Sequence, residues 1–282
     1  MIFPLYKYAT AETTKINIAN RSLRFSSPTA FNDPFDSKIS SVIGMSEEDW
    51  INEVDKFYVE QEFGHLSFDE KQQKLHKLIN RPMEDELLEA LNRIKNLDKN
   101  FTEELTNLAK KSAILCLSKN NSNRLMWSHY ADSYKGAVMA FAPNPDKDSC
   151  FKYMESVQYS KERFFPNKDL SRLSRPGELT DEELLSDFRK LFLTKDEEWD
   201  YEEEYRFFIP NILKDGEIYW HGGFHPEELV GIYLGNRMQH EDKIEIFNAA
   251  KSLNEKVKVY KQELGLFKYE SHFLEVKSDA DL

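Results

Sequence analysis

The most constraining feature of this sequence is a set of short apolar runs separated by helical patterns. Three runs have the length and side-chain type of β-strands: SAILCLS at 112–118, GAVMAFAP at 136–143 and ELVGIYLG at 228–235. Helical spacing is found between and after them, for example in EDKIEIFNAAKSLN at 241–254. This order of elements predicts an α+β fold, with a mostly antiparallel central sheet and surrounding helices.

The stretch from about residue 47 to 111 has a different pattern of apolar and charged residues. Apolar residues recur there at spacings of three and four between charged ones, as in MEDELLEALNRI at 83–94. We therefore expect an all-helical insertion at 47–111 within a single α+β domain at 1–282. We expect this insertion to add few groups to a central cleft, and it is a candidate surface for a regulatory protein partner.

Composition and charge exclude several classes of protein. Hydrophobic residues make up 40% of the 282 residues and the net charge is −12, so the chain can build a core but lacks the basic surface of a non-specific nucleic-acid binder. Its two cysteines have neither a disulfide framework nor metal-ligand spacing. No apolar run approaches the roughly 20 residues that span a bilayer. We expect a cytoplasmic protein that makes no membrane contact.

The loop FSSPTAFNDPFD at 25–36 carries three phenylalanines among turn-forming residues. Asn32, Asp33 and Pro34 predict an Asx-type turn, with Phe31 and Phe35 buried on either side of it. The loop is then either a pinned structural element or a support that holds polar groups at a cleft. In the second interpretation those groups are Asn32, Asp33 or Asp36.

The segment NRLMWSHYADSYKG at 123–136 is predicted to be helical as far as Tyr134. Helical spacing places His129 on one side with Asp132, whose carboxylate could fix the tautomer of the imidazole. An aromatic stripe on another side is either core or a ligand-binding surface, and it consists of Trp127, Tyr130 and Tyr134. Gly136 opens the next strand, where a missing side chain would let a flat ligand approach the backbone.

The segment EEWDYEEEYRFF at 197–208 contains the densest run of charge. If residues 202–208 are extended, Glu202, Glu204 and Arg206 share one face. This ladder is either a structural ion-pair network or a catalytic pair of carboxylates held by a guanidinium. A catalytic Glu204 predicts that Glu204→Gln removes activity at nearly unchanged melting temperature, whereas a tight buried pair predicts a loss of stability.

Four segments occur in an order that resembles a bacterial family of unknown function. They are LYKY at 5–8, LRFSSPTAFNDPFD at 23–36, MWSHYADSYKGAVMAF at 126–141 and WDYEEEYRFF at 199–208. The resemblance extends from Leu5 to about Gly235. Because such genes are often met near abortive-infection and phage-defence genes, it implies an intracellular defence or toxin-type effector.

A more distant similarity, to mono-ADP-ribosyltransferase-like folds, implies a chemistry. Those folds begin with a strand of pattern L-Y-H/R-x-T, continue to a strand with an aromatic near a glycine, and carry the essential glutamate later, often as E-x-E. LYKYAT, SYKGAVMAF and Glu202-Glu203-Glu204 stand at these places, with Lys7 or Tyr8 where His or Arg is usual. The implied substrate is NAD. The implied catalytic residues are Glu204, Glu202, Arg206 and His129, and the implied NAD contacts are Lys7, Tyr8, Ser26, Asn32, Asp33, Trp127, Tyr130, Tyr134 and Gly136.

Two other classes of function stay open. A metal-dependent nuclease or phosphodiesterase could use ligands among Asp33, Asp36, His129, Glu202 and Glu204, although no signature such as H-E-x-x-H favours a metal. A non-catalytic sensor or binding protein could use the same cleft without turnover. For the transferase, the acceptor is a macromolecule, either nucleic acid or protein.

Overall fold

The computed structural model of the protein describes residues 4–38, 102–164 and 189–282, with the helical positions 96, 99, 100 and 186. The chain divides into two compact units, the first made of 1–38, 108–163 and 192–282 and the second of 39–107 and 164–191. The fold described below is that of the first unit. Of the insertion expected at 47–111, positions 96, 99, 100 and 102–111 are helical, and the rest lies outside the described residues. The single-domain arrangement stays a prediction.

The described part of the chain builds a mostly antiparallel sheet. Its strands are β1 Leu5–Ala9, β2 Ser22–Ser26, β3 Ala113–Ser118, β4 Ala137–Phe141, β5 Glu155–Ser156, β8 Glu204–Ile209, β9 Tyr219–Gly223, β10 Leu229–Leu234, β11 Lys258–Leu264 and β12 Ser271–Val276. Their main order in the sheet is β12-β11-β10-β4-β1-β3-β2-β9, with β8 paired to β3 and the short β5 paired to β8. A separate parallel pair is formed by β6 Gln158–Ser160 and β7 Thr194–Asp196. The predicted α+β class is confirmed.

Three helices of the first unit contribute to the layers and connections around the sheet. They are α1 Ala11–Asn20, α2 Arg124–Tyr130 and α3 His240–Leu253. Thr10 caps α1 by accepting a hydrogen bond from the Thr13 amide. Helix α3 connects β10 to its parallel neighbour β11, as parallel pairing requires. Helices α1 and α3 contact each other, and Lys15 bridges to Asp242 and Glu245.

The core lies where the apolar runs predicted it. All five residues of β4 are buried, because β1 and β10 pair with its two edges and its alternate side chains belong to two different apolar clusters. The larger apolar cluster includes Leu5, Leu115, Phe141 and Ile232, and a smaller one surrounds Trp127. A membrane-spanning segment is absent from the parts of the chain that the structure describes, since none of their helices combines the necessary length and apolarity.

The sheet is split next to β3, and this split positions the site. Strand β8 pairs along the whole of one edge of β3, whereas β1 and β2 share the other edge. Tyr6 of β1 lies opposite Ser118, and Ser26 of β2 lies opposite Ile114. Cys116 lies between these two positions of β3, and neither β1 nor β2 has a residue paired with it on that edge. Strands β1 and β2 therefore diverge beside the middle of β3.

Candidate functional site

A cavity of about 500 Å³ lies over the split, and its lining residues in the described part of the chain all belong to the first unit. Ser118 lies opposite Tyr6 on one side and opposite Glu204 on the other. Because paired residues point to the same face of a sheet, alternate positions of four strands share this face. These positions line the cavity and are Tyr6, Tyr8, Arg24, Ser26, Ile114, Cys116, Ser118, Glu204 and Arg206.

Side chains from other elements complete the cavity wall. They come from the loop after β2, from α1, from α2 and from the region that precedes β8. The lining residues from these elements are Thr10, Thr13, Asn17, Ala30, Phe31, Asn32, Asp36, Met126, His129, Tyr130, Lys195 and Glu202. Lys7, Ala9 and Leu117 line it from the strands themselves.

Glu202 reaches the cavity from a turn that precedes β8, whereas Glu204 reaches it as the first residue of that strand. Residues Glu197–Glu202 form a 3₁₀ helix, and strand β8 begins only at Glu204. Glu203 between them is left-handed, with φ of 44°. Its side chain accepts a hydrogen bond from Asn120 Nδ2 at 3.0 Å, outside the cavity lining. The expectation that residues 202–208 are one extended strand is therefore wrong, although Glu204 and Arg206 do share a face.

Lys195 joins the two glutamates. Its Nζ lies 2.5 Å from Glu202 Oε2 and 3.5 Å from Glu204 Oε2. The same ammonium lies 3.6 Å from Asp36 Oδ2. The sequence carries no local signal for this role, because Lys195 comes from β7, a three-residue strand whose parallel pairing with β6 depends on tertiary structure.

Arg206 is the second cation of this cluster and is fully buried. It donates to Glu204 Oε2 at 2.8 Å and, through both terminal nitrogens, to Asp36. Its Nη1 also donates to the carbonyl of Phe192 at 2.7 Å, and its guanidinium lies 5.3 Å from the centroid of the Phe31 ring. Two cations thus hold three carboxylates at the floor of the cavity.

The surroundings displace the pKa values of the two glutamates in opposite directions. Burial raises the pKa of Glu204, but the positive charges of Arg206 and Lys195 outweigh it and lower that pKa to about 2. Burial and then the negative charge of Glu204 raise the pKa of Glu202, against the opposing charge of Lys195. Burial lowers the pKa of Lys195, but the three neighbouring carboxylates reverse this and raise it overall. Glu204 stays ionised, and Glu202 is the more basic of the two carboxylates.

Tyr130 connects this cluster to the loop at 25–36. Its hydroxyl donates to Glu202 Oε1 at 2.7 Å and accepts a hydrogen bond from Asn32 Nδ2 at 3.3 Å. Burial, followed by the negative charge of Glu202, raises the pKa of Tyr130, so the phenol remains a donor. His129 lines the cavity beside it, with the two ring centroids 6.3 Å apart.

The loop is pinned, but by polar residues as much as by aromatic ones. Asp33 is buried and accepts a hydrogen bond from the Phe35 amide at 2.8 Å, as an Asx-type turn requires. Phe31 is half-buried near Arg206, whereas Phe35 is 66% exposed. The prediction that Phe35 is buried is wrong, because the inward position after the turn is taken by Asp36, which pairs with Arg206.

The segment after α2 departs from the predicted helix. Helix α2 ends at Tyr130, and Asp132, Ser133 and Tyr134 are left-handed with φ of 46°, 53° and 72°. The expectation that Asp132 shares a helical face with His129 is therefore wrong. Tyr134 stacks on Trp127 with centroids 5.9 Å apart.

Gly136 serves close packing of the backbone in the structure. A Cβ added there would lie 2.1 Å from the carbonyl oxygen of Ala9, so β1 occupies the space that we expected a flat ligand to use. Trp127 is likewise fully buried, and its Nε1 donates to the carbonyl of Asn121 at 2.8 Å.

The cavity brings together most of the site residues that the sequence singled out. Those that line it are Lys7, Tyr8, Ser26, Asn32, His129, Tyr130, Glu202, Glu204 and Arg206. Those that do not are Asp33, Trp127, Tyr134 and Gly136. Asp36, which the sequence offered as a cleft residue or metal ligand, also lines the cavity. The structure adds Lys195, Arg24 and Cys116, which the sequence did not single out.

A metal site is not visible in the described ranges. Within them, no group of three or more His, Cys, Asp or Glu side chains is arranged to hold a metal ion. The carboxylates of Asp36, Glu202 and Glu204 face Lys195 and Arg206 instead.

Comparisons with known proteins bear on the central part of the chain. Residues 126–207 match the model of a family described as protein of unknown function (DUF2971). Neither the curated proteins nor the solved structures yielded a match. Over the span from α2 to β8, which includes Tyr130, Lys195 and both cavity glutamates, the chain is therefore similar to a family of unknown function.

Proposed function

We propose that this cavity cleaves the bond between nicotinamide and ribose in NAD and transfers the ADP-ribose group to an acceptor. The observation that carries the proposal is the pair of buried cavity carboxylates, Glu202 and Glu204, whose pKa values are displaced in opposite directions. Carboxylates with separated pKa values take different roles in one reaction. The cavity volume of about 500 Å³ lies in the usual range for small-molecule sites.

Glu204 suits the bond-breaking step. Cleavage builds positive charge on the ribose as the C1′–N bond breaks, as in glycoside hydrolysis. A carboxylate that stays ionised stabilises this charge electrostatically. Nicotinamide leaves with the bonding electron pair as a neutral pyridine, so this step requires no general acid.

Glu202 suits the transfer step. Its raised pKa makes it a stronger base than an ordinary carboxylate. As an acceptor hydroxyl forms a new bond to C1′, its proton moves to Glu202. Tyr130 and Lys195 each contact a different oxygen of this carboxylate and fix its position. The Tyr130 ring can also stack against a flat nicotinamide.

The test is release of nicotinamide from NAD by the purified protein, supplied with cell extract and nucleic acid as sources of acceptor. We expect Glu204→Gln to abolish release. Glu203→Gln is a matched control, because this neighbouring glutamate contacts Asn120 and does not line the cavity. Circular dichroism verifies that each variant is folded. Absence of release by the unmodified protein, or full release by folded Glu204→Gln, would overturn the proposal.

A further inference from the structure

We propose that Lys7 and Arg24 form a subsite for a diphosphate in the same cavity, separate from the carboxylate cluster. The identification of this group as the pyrophosphate of NAD rests on the proposed function. The subsite itself rests on the charges and the geometry of the cavity.

The first argument is the charge balance of the cavity lining. Among the described residues that line it, the carboxylates are Asp36, Glu202 and Glu204, and the cations are Lys7, Arg24, Lys195 and Arg206. Every one of these carboxylates is contacted by Lys195, by Arg206 or by both. Lys7 and Arg24 are left over, and no carboxylate among the described residues lies within ion-pair distance of either. In a chain with net charge −12, this local surplus of positive charge runs against the composition.

The second argument is the position of the two side chains at the split in the sheet. Lys7 is on β1 and Arg24 is on β2, the strands that diverge beside Cys116. Lys7 Nζ donates to the Cys116 carbonyl at 3.0 Å. Since an ammonium has three N–H groups, donors remain for a ligand. The Arg24 guanidinium is exposed and lies 4.5 Å from the centroid of the Tyr219 ring, which holds it in place.

The third argument is that the two cations act on each other. Burial is the main cause that lowers the pKa of Lys7, the positive charge of Arg24 adds to this effect, and the interactions with Cys116 and Glu204 oppose it. Two like charges in a partly desolvated place are unfavourable until an anion neutralises them. A diphosphate supplies two adjacent negative groups, and Arg is suited to phosphate through its paired N–H groups. Polar groups that line the cavity could contact the attached ribose, namely Thr10, Thr13, Asn17 and Ser26.

The experiment measures binding of ADP, with adenosine as the uncharged comparison, to the full chain by calorimetry. We expect ADP to bind more tightly than adenosine, and Arg24→Gln to weaken ADP binding about tenfold, the loss of one charge-assisted hydrogen bond. Adenosine binding should not change. Arg237→Gln is the control, since Arg237 is an exposed arginine outside the cavity lining. Lys7→Met should weaken ADP binding in the same direction, with folding verified by circular dichroism.

Several outcomes would overturn the subsite: ADP and adenosine bind equally, neither binds, or Arg24→Gln behaves like Arg237→Gln. The result for NAD is separate. If ADP binding depends on Arg24 but nicotinamide is not released, the subsite stands and the proposed function fails. If nicotinamide is released and Arg24→Gln leaves the KM for NAD unchanged, the proposed function stands and the subsite fails.

Discussion

Arg206 and Asp36, which are 170 residues apart in the sequence, form a buried bidentate ion pair. Nη1 and Nη2 of Arg206 lie 2.8 and 2.5 Å from the two carboxylate oxygens of Asp36. The pair fastens the loop at 25–36 to strand β8, directly beside Glu204. It explains why this loop ends in an aspartate, and it links the order of the loop to the position of the proposed catalytic carboxylate.

Removing the Asp36 charge should destabilise the fold. Asp36→Asn removes one of the two carboxylates that pair with the buried Arg206, so we expect a loss of about 3–5 kcal/mol in the free energy of unfolding. Urea denaturation followed by circular dichroism measures it. Asp215→Asn is the control, because the Asp215–Lys111 pair is largely exposed and should change stability by less than about 1 kcal/mol. Equal effects of the two substitutions would contradict a structural role for the buried pair.

The two cavity glutamates should affect stability differently at neutral pH. The folded pKa of Glu204 lies below its usual value of 4.5, so its stabilising effect is present above that pH and is lost as the pH falls towards 2. The raised pKa of Glu202 has the opposite sign, since its ionised form is disfavoured in the folded state. At pH 7, Glu204→Gln should therefore lower the unfolding free energy more than Glu202→Gln does. Denaturation at pH 7 and at pH 3 tests this, and the difference should shrink at the lower pH.

The structure changes the melting temperature that we expect for Glu204→Gln. An accessible catalytic glutamate would leave the melting temperature nearly unchanged, but Glu204 is buried and contacts both Arg206 and Lys195. We now expect the substitution to lower the melting temperature as well as remove nicotinamide release. An unchanged melting temperature would show that the ion pairs of Glu204 contribute no net stability.

Local patterns predicted the strands and part of the site. Alternation along a strand correctly placed Glu204 and Arg206 on one face, because this depends only on the two-residue period of β structure. Alternation could not predict that Glu203 is left-handed. A non-glycine residue adopts this backbone conformation only where tertiary contacts compensate its energetic cost. Alternation also missed Lys195, whose contact with Glu202 depends on long-range strand pairing.

The aromatic residues of the loop at 25–36 led to a wrong prediction, because a neighbouring polar residue has a buried ion-pair partner. Phe35 was expected inside, but the neighbouring Asp36 takes the buried position because it has a buried arginine to pair with. Helical spacing also predicts a helix that continues beyond Tyr130, where the observed helix ends. The chain is instead left-handed at Asp132 and then brings Gly136 against β1. Each error concerns a residue whose conformation is fixed by a distant segment.

Close approach of β1 makes Gly136 a sensitive position. The Cβ of Gly136→Ala would lie 2.1 Å from the Ala9 carbonyl oxygen, a backbone atom that cannot move alone. We expect a loss of about 1–3 kcal/mol from this overpacking, measured by thermal or urea denaturation. Gly223→Ala is the matched control, since its added Cβ meets only the Arg21 carbonyl oxygen at 3.8 Å. Similar stability of the two variants would show that β1 and the Gly136 segment are not packed this closely.

Tyr130 should set the pH dependence of the proposed reaction. Its hydroxyl lowers the pKa of Glu202 by a hydrogen bond, so Tyr130→Phe should raise that pKa further. If Glu202 acts as a base, the acid limb of the profile of kcat against pH then moves to higher pH, and stability falls by about 1 kcal/mol. Tyr134→Phe removes a hydroxyl that donates to the Arg124 carbonyl, from a residue outside the described cavity lining, and should leave the profile unchanged. An acid limb that stays in place in Tyr130→Phe, with nicotinamide release intact, would remove Glu202 from the role of base.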